Sequence, residues 1–114
     1  MDSESGEAAY GPQSREVDIA RCFRDRFLST QALRAYFAVY EPVAARMQQD
    51  EAYRMHIRTH LTDKLVRYGA AVLKMDYPPP SAADVKCARA FIEQLERVGA
   101  EMTQPFTRAN GEVI

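Results

Sequence analysis

The sequence predicts an all-α protein, a single-domain antiparallel bundle of about four helices. Apolar residues recur every three to four positions along each long segment, which is the period of an amphipathic helix. No segment alternates apolar and polar residues over a useful length, as a half-buried strand would. The connections between the segments are short, which favours antiparallel neighbours. The 114 residues are enough for one domain with its own core.

The first predicted helix begins after Ser14, whose hydroxyl can accept a hydrogen bond from the first helical turn. Val17 is its third helical residue, and one face then carries apolar residues at helical spacing, namely Ile19, Ala20, Phe23 and Phe27. Ser29 or Thr30 can cap the second helix in the same way.

The second predicted helix contains Pro42, which removes one backbone donor from the helix interior. Its apolar stripe nevertheless keeps its phase across the proline: Leu33, Tyr36, Phe37, Tyr40, Ala44 and Met47. Because this phase would have no reason to survive a break, we predict one helix kinked at Pro42 rather than two short helices.

The third helix is predicted to be the longest, starting at the cap Asp50 and ending near Met75 or Asp76. The run YPPP, residues 77–80, ends it, because a residue before proline is pushed out of the helical region. Its main apolar stripe comprises Tyr53, Ile57, Leu61, Leu65, Tyr68, Val72 and Met75.

Ser81 and Asp84 form a variant of the capping box and predict the start of a fourth helix. The apolar face of this helix is Val85, Ala88, Phe91, Ile92, Leu95, Val98 and Met102. The third and fourth predicted helices thus lie on either side of the prolines, and the fourth completes the predicted bundle.

The chain ends differ in composition from the bundle. Residues 1–13 are polar and have little to bury, which predicts a flexible leader. Residues 14–104 form the predicted bundle domain, and residues 105–114 form a tail that breaks the helical pattern. Phe106 and Ile114 give this tail two side chains that can dock on the domain.

Charge and cysteine usage bound the function. The formal net charge is −1, and no helix face is basic, so we expect no nucleic acid partner and no attraction to an anionic membrane. No run approaches the roughly 18 apolar residues of a membrane span. Cys22 and Cys87 are isolated, and the acidic start of the chain has no signal-peptide pattern. We therefore expect a cytoplasmic protein.

His56 and His60 lie one helical turn apart, a spacing that metal sites use. Asp63 is the nearest further ligand on the same helix. Ile57 stands where the glutamate of an HExxH motif would be, and Arg67 on the same flank opposes a cation. We therefore interpret the pair as a solvated flank, with a metal site of His56, His60 and Asp63 as the alternative.

The third helix has a second apolar row almost opposite the main stripe: Met55, Val66 and Leu73, with Thr59 and Thr62 on the same side. A helix on the outside of a bundle needs only one apolar stripe. The second row therefore predicts either a central helix wrapped by other elements or a contact with another protein.

The functional prediction follows from these features. We expect a small protein–protein interaction domain, such as an adaptor, an inhibitor or an immunity-type protein, acting by surface occupancy and forming a homodimer. Tyr36 and Tyr40 join the second row of the third helix as interface candidates. No catalytic residue and no cofactor is predicted, which makes an enzyme the less favoured class. The alternative is a metal-binding or small-molecule-binding bundle that uses the His56 and His60 flank.

Overall fold

The fold, described by a computed structural model over residues 5–114, is built from helices. Its elements are α1 (Ser5–Tyr10), α2 (Arg15–Phe27), α3 (Thr30–Gln49), α4 (Glu51–Ile57), a π-helical segment (Arg58–Thr62), α5 (Asp63–Leu73) and α6 (Ala82–Glu101). Within the described residues the β structure is limited to an isolated antiparallel bridge between Thr107 and Val113. The all-α prediction is confirmed.

Four of the helices begin at caps that the sequence predicts: Ser14, Ser29, Asp50 and Ser81. Each side chain accepts a hydrogen bond from the backbone N–H three residues further on, at 3.0–3.3 Å. Such a cap satisfies one of the donors that a helix start leaves without an internal partner. At Ser81 the box is complete, because Asp84 accepts in return from the Ser81 N–H at 2.9 Å.

Pro42 lies inside α3, which continues from Thr30 to Gln49. The structure therefore has one helix across Pro42, as predicted, rather than two short helices. The kink at Pro42 stays a prediction. None of the helices in the described part of the chain is both long and apolar enough to cross a membrane.

α4, the π-helical segment and α5 follow one another without a break, and we call Glu51–Leu73 the central helix. The backbone stays in the right-handed helical region at both joins. Within the π-helical segment the hydrogen bonds span five residues, as between the Asp63 N–H and the Arg58 carbonyl. The central helix ends at Leu73, slightly before the predicted end, where Lys74 takes a left-handed conformation with φ 59°.

The core is divided into three buried clusters that join different pairs of helices. One joins α1 to α3, a second joins α2 to α5, and a third joins α3 to α6. Their buried members are, in that order, Ala8, Ala9, Ala44 and Met47; Ile19, Val66 and Ala70; Ala32, Ala35 and Leu95. The Cα radius of gyration of 13.6 Å is that of one domain of this length.

α1 lies within residues 1–13, the segment for which the sequence predicts a flexible leader. Ala8 and Ala9 are buried against α3, with 9% and 4% of their surface exposed. The polar composition of this segment concealed two small apolar residues that suffice for a close helix contact. Residues 1–4 of the predicted leader lie outside the described residues.

The tail, residues 105–114, folds back on itself and against α3. Phe106 and Ile114 exchange backbone hydrogen bonds of 3.2 and 2.8 Å, and the Nε of Arg34 donates to the Ile114 carbonyl at 3.1 Å. The Arg108 guanidinium lies 3.7 Å from the centre of the Phe37 ring. The two docking residues expected from the sequence are both half-buried.

Candidate functional site

The candidate site is an apolar cavity of about 80 Å³ among α2, α3, the central helix and α6. It is neither sealed nor a flat surface. Its aromatic lining residues are Tyr10, Phe23, Tyr36, Tyr40, Tyr68 and Phe91. Its aliphatic lining includes Leu28, Ile57, Leu61, Leu65 and Ile92. Apolar walls of this kind are typical of small-molecule sites.

The cavity arises because large side chains of the core faces do not fill the space between the helices. Leu61, Leu65 and Tyr68 belong to the main stripe of the central helix, yet all three are only half-buried. The largest fully buried side chains, Val17, Ile19 and Met47, are medium-sized. Protein interiors ordinarily leave few voids larger than a water molecule, so this interior departs from ordinary packing.

Aromatic pairs bridge the helices around the cavity. The Phe23 and Tyr68 rings connect α2 to α5, with centroids 5.9 Å apart. The Tyr40 and Phe91 rings connect α3 to α6 at 5.3 Å, and Tyr36 stacks on Tyr40 at 5.7 Å. These distances are those of favourable ring pairs, so the rings stabilise the walls of the cavity.

The charged groups that line the cavity are compensated by carboxylates. Arg21 pairs with Glu7 at 3.0 Å, and Arg24 pairs with Asp25 at 2.9 Å. An acidic ligand would have to compete with these carboxylates for the guanidinium groups. The cavity therefore favours an uncharged occupant.

Tyr10 forms the end of the cavity nearest α1. Its hydroxyl donates to an Asp63 carboxylate oxygen and lies 3.3 Å from the Thr62 hydroxyl. The Arg58 guanidinium lies 4.6 Å from the centre of the Tyr10 ring and 3.9 Å from Asp63. Burial, followed by the hydrogen bond to Asp63, raises the pKa of the Tyr10 hydroxyl. The hydroxyl therefore stays protonated and acts as the donor.

The histidine flank lies outside this cavity. His56 and His60 are exposed, and their ring centroids are 4.4 Å apart. Asp63, the third residue of the predicted metal site, accepts the Tyr10 hydroxyl. Across the residues that the structure describes, no group of three or more His, Cys, Asp or Glu side chains converges as a metal site would require. The structure therefore does not assemble His56, His60 and Asp63 into one ligand set.

The second row of the central helix is divided between interior and surface. Thr62 and Val66 are buried, with 7% and 3% of their surface exposed, and Leu73 is half-buried against the same cluster as Val66. Met55 and Thr59 are exposed. Of the two positions that the sequence left open for this row, Thr62 and Val66 therefore lie in the interior of the chain, and Met55 and Thr59 lie at its surface.

The remaining interface candidates from the sequence, Tyr36 and Tyr40, line the cavity and are half-buried. Burial raises the pKa of the Tyr40 hydroxyl, with Tyr36 as a further cause. Sequence reasoning placed both residues on the core stripe of α3 but gave no sign that this stripe borders unfilled space. It also missed Tyr10, because the segment that carries it was expected to have no fixed structure.

No family model matches the chain, and neither a curated protein nor a solved structure matches it.

Proposed function

We propose that this chain is a non-catalytic binding domain that holds an uncharged, apolar small molecule between α2, α3, the central helix and α6. The observation that carries the proposal is the cavity, whose walls are aromatic and aliphatic side chains left half-buried by the fold. Pockets of this composition are where proteins bury small ligands.

Unfilled space beside an apolar side chain deprives it of dispersion contacts. A ligand that fills the space restores the lost dispersion contacts of the walls. An apolar cavity of roughly 150 Å³ binds benzene, so a single-ring ligand needs a modest outward movement of one wall.

This proposal keeps the small-molecule hypothesis from the sequence but moves its location. The sequence placed such a site at the His56 and His60 flank, whereas the cavity is bounded by Leu61 and Leu65 on the same helix. The free thiols of Cys22 and Cys87 suit a reducing compartment, so we propose the cytoplasm as the place where the domain acts.

The test is a binding titration with toluene, followed by the chemical shifts of methyl groups in the cavity. Ala20 lines the cavity, so Ala20→Leu fills part of it and should weaken toluene binding about tenfold or more. Ala71→Leu on the exposed face of α5 is the matched control and should leave binding unchanged. If toluene binds both variants with equal affinity, as judged from the methyl chemical shifts, the cavity is not its binding site.

A second candidate function is contact with another protein, with a homodimer as the simplest case. Met55 favours it, because 45% of this large apolar residue is exposed and Thr59 is exposed one turn away. Met55→Glu would place an unpaired charge in such a contact and reduce the sedimentation mass at high protein concentration. An unchanged mass would remove Met55 from consideration as an interface residue.

A further inference from the structure

We propose that the Tyr10 side chain is the chain's own occupant of a phenol-binding slot, which a phenolic ligand takes by displacing α1. The slot is the end of the cavity that Tyr10 fills, so this inference rests on the proposed function. It names both the ligand class, an uncharged phenol, and the element that controls access.

The slot recognises each part of a phenol. Its apolar sides come from the Ile19, Val66 and Ala70 cluster, against which the Tyr10 ring packs. The Arg58 guanidinium lies over the ring face at 4.6 Å, a geometry that attracts an aromatic ring electrostatically. A phenyl ring in the slot therefore contacts the apolar cluster and also has the Arg58 guanidinium over its face.

The hydroxyl of the ring has its own partners. The Asp63 carboxylate accepts from it, and the Thr62 hydroxyl lies 3.3 Å away. The Nε of Arg58 is buried next to Asp63 and has no hydrogen-bond partner among the described residues. A spare donor and a charged acceptor at one end of an apolar slot suit a neutral phenol, which offers both an acceptor and a donor.

α1 is a short helix held mainly by apolar contacts. Ala8 and Ala9 are buried against Ala44 and Met47 of α3, and Tyr10 packs against the same cluster. The Glu7–Arg21 pair is a further tie, whose side chains are 30% and 37% exposed, and such a pair contributes little. A ligand that displaces α1 must therefore offset the exposure of Ala44 and Met47 by its own burial in the slot.

Gly11 provides the hinge behind α1. Its φ of +91° is a conformation that residues with a side chain rarely adopt, and no heavy atom lies within 4 Å of where a Cβ would stand. The Gly11 carbonyl accepts from the hydroxyl of Ser14, the cap of α2, at 3.3 Å, so a turn at Gly11 moves or breaks this bond. Departure of α1 removes a phenol ring from the end of a cavity of about 80 Å³ and leaves room for a ring-sized ligand.

The π-helical segment presents the recognition groups. Arg58 and Thr62 are its first and last residues, and Asp63 follows directly. A π-helical turn inserts an extra residue and redirects the side chains that follow, and such turns are frequent at functional sites. Here it brings a cation, a hydroxyl and a carboxylate to one slot.

The experiment compares 4-methylphenol, which reproduces the tyrosine side chain, with toluene, which lacks the hydroxyl. Hydrogen exchange reports α1, because the Gly11 N–H is protected by a 2.8 Å bond to the Glu7 carbonyl. In the wild-type chain, saturating 4-methylphenol should speed exchange at Gly11, and toluene at the same concentration should do so much less. Exchange at Gly11 that stays constant while 4-methylphenol binds overturns the inference.

Two variants test the competition and the recognition separately. Tyr10→Ala removes the built-in occupant and should tighten 4-methylphenol binding about tenfold, if α1 is docked in about nine of ten molecules. Asp63→Ala should reduce the preference for 4-methylphenol over toluene to near one. The ratio of the two affinities is the readout, since Asp63→Ala also loosens α1 for both compounds.

Tyr68→Ala is the matched control, because it also enlarges the cavity but lies on the wall opposite Phe23 rather than in the slot. It should not increase the preference for 4-methylphenol over toluene. If Tyr10→Ala and Tyr68→Ala increase this preference equally, the inference of a phenol-binding slot is overturned. In that case the proposed function would still be supported if Ala20→Leu weakens toluene binding. Failure of the slot and failure of the proposed function are therefore distinguishable.

Discussion

At the scale of single residues, Asp84 joins two helices through one carboxylate. Its two oxygens accept from the Nε and Nη2 of Arg67 at 2.8 and 3.1 Å, which ties the start of α6 to α5. The same carboxylate accepts from the Ser81 N–H and completes the capping box. The Arg67 hydrogen bonds and then the Ser81 backbone hold the pKa of Asp84 well below its usual range.

The lowered pKa of Asp84 predicts an acid-dependent loss of stability. Because the folded-state pKa lies below the unfolded one, the stabilisation is fully present above the unfolded pKa of about 4 and disappears as the pH falls towards the folded value. We expect the free energy of unfolding to decrease below about pH 4, measured by urea denaturation.

The control for this pH effect is Asp84→Asn, which cannot ionise and leaves Arg67 without its charged partner. This variant should be less stable than wild type at neutral pH by about 1–3 kcal/mol, with a smaller loss between pH 4 and 2. Parallel pH curves for the two proteins would contradict the assignment.

At the scale of helical elements, the π-helical segment explains why the second row of the central helix is not continuous. Met55 precedes the segment and Val66 follows it. On an unbroken α-helix two positions eleven residues apart lie on nearly the same face, since each residue turns about 100°. One inserted residue changes that angle by about 100°, which places Val66 inside and Met55 outside.

Substitution by glutamate at these two positions tests the phase change. Val66→Glu buries an unpaired carboxylate among Ile19 and Ala70 and should unfold the domain or lower its melting temperature severely. Met55→Glu places the same charge on an exposed site and should change the stability by less than about 0.5 kcal/mol. Equal losses in thermal melts would show that both residues share one environment.

The close contact between α3 and α6 gives a second test at this scale. A Cβ at Gly99 would stand 2.1 Å from the Gln31 backbone oxygen, whereas a Cβ at Gly69 would meet the flexible Phe23 side chain at 3.3 Å. Gly99→Ala should therefore cost about 1–3 kcal/mol despite its better helix propensity. Gly69→Ala should cost less, and a greater loss at Gly69 in urea denaturation would contradict this packing.

The sequence predicted the elements that depend on local chemistry. Helix starts at Ser14, Ser29, Asp50 and Ser81 follow from a side chain and its backbone neighbours within three residues, so they are visible in any sequence. The π-helical segment is not, because Arg58–Thr62 contains no proline or glycine to mark it. Its position coincides with the tertiary contacts of Tyr10, which lies in a segment that the sequence assigned to a leader.

At the scale of the whole molecule, the interior is filled unevenly. Part of it is closely packed, with Ala32 and Ala35 fully buried beside Leu95. The cavity is lined by larger residues such as Leu61, which are only half-buried. Apolar periodicity marks both kinds of residue as core, since it reports which face points inward and not how much space that face encloses.

Two leucine-to-alanine substitutions measure this unevenness. Leu95, with 3% of its surface exposed, is surrounded by α3 and α6, so Leu95→Ala should create a new cavity and cost about 2–5 kcal/mol. Leu61 already borders unfilled space, so Leu61→Ala removes fewer contacts and should cost only about 1–2 kcal/mol. Urea denaturation monitored by far-ultraviolet circular dichroism gives both values.

Ligand binding should separate the same two variants. Leu61→Ala enlarges the existing cavity, so toluene should raise its melting temperature more than it raises that of wild type, by mass action on the folded state. Leu95 does not itself line the cavity, but it packs behind the lining residues Tyr40 and Phe91, so Leu95→Ala should show a smaller gain. If both variants lose the same free energy of unfolding and toluene raises both melting temperatures equally, the interior is evenly packed. The cavity would then not be the binding site.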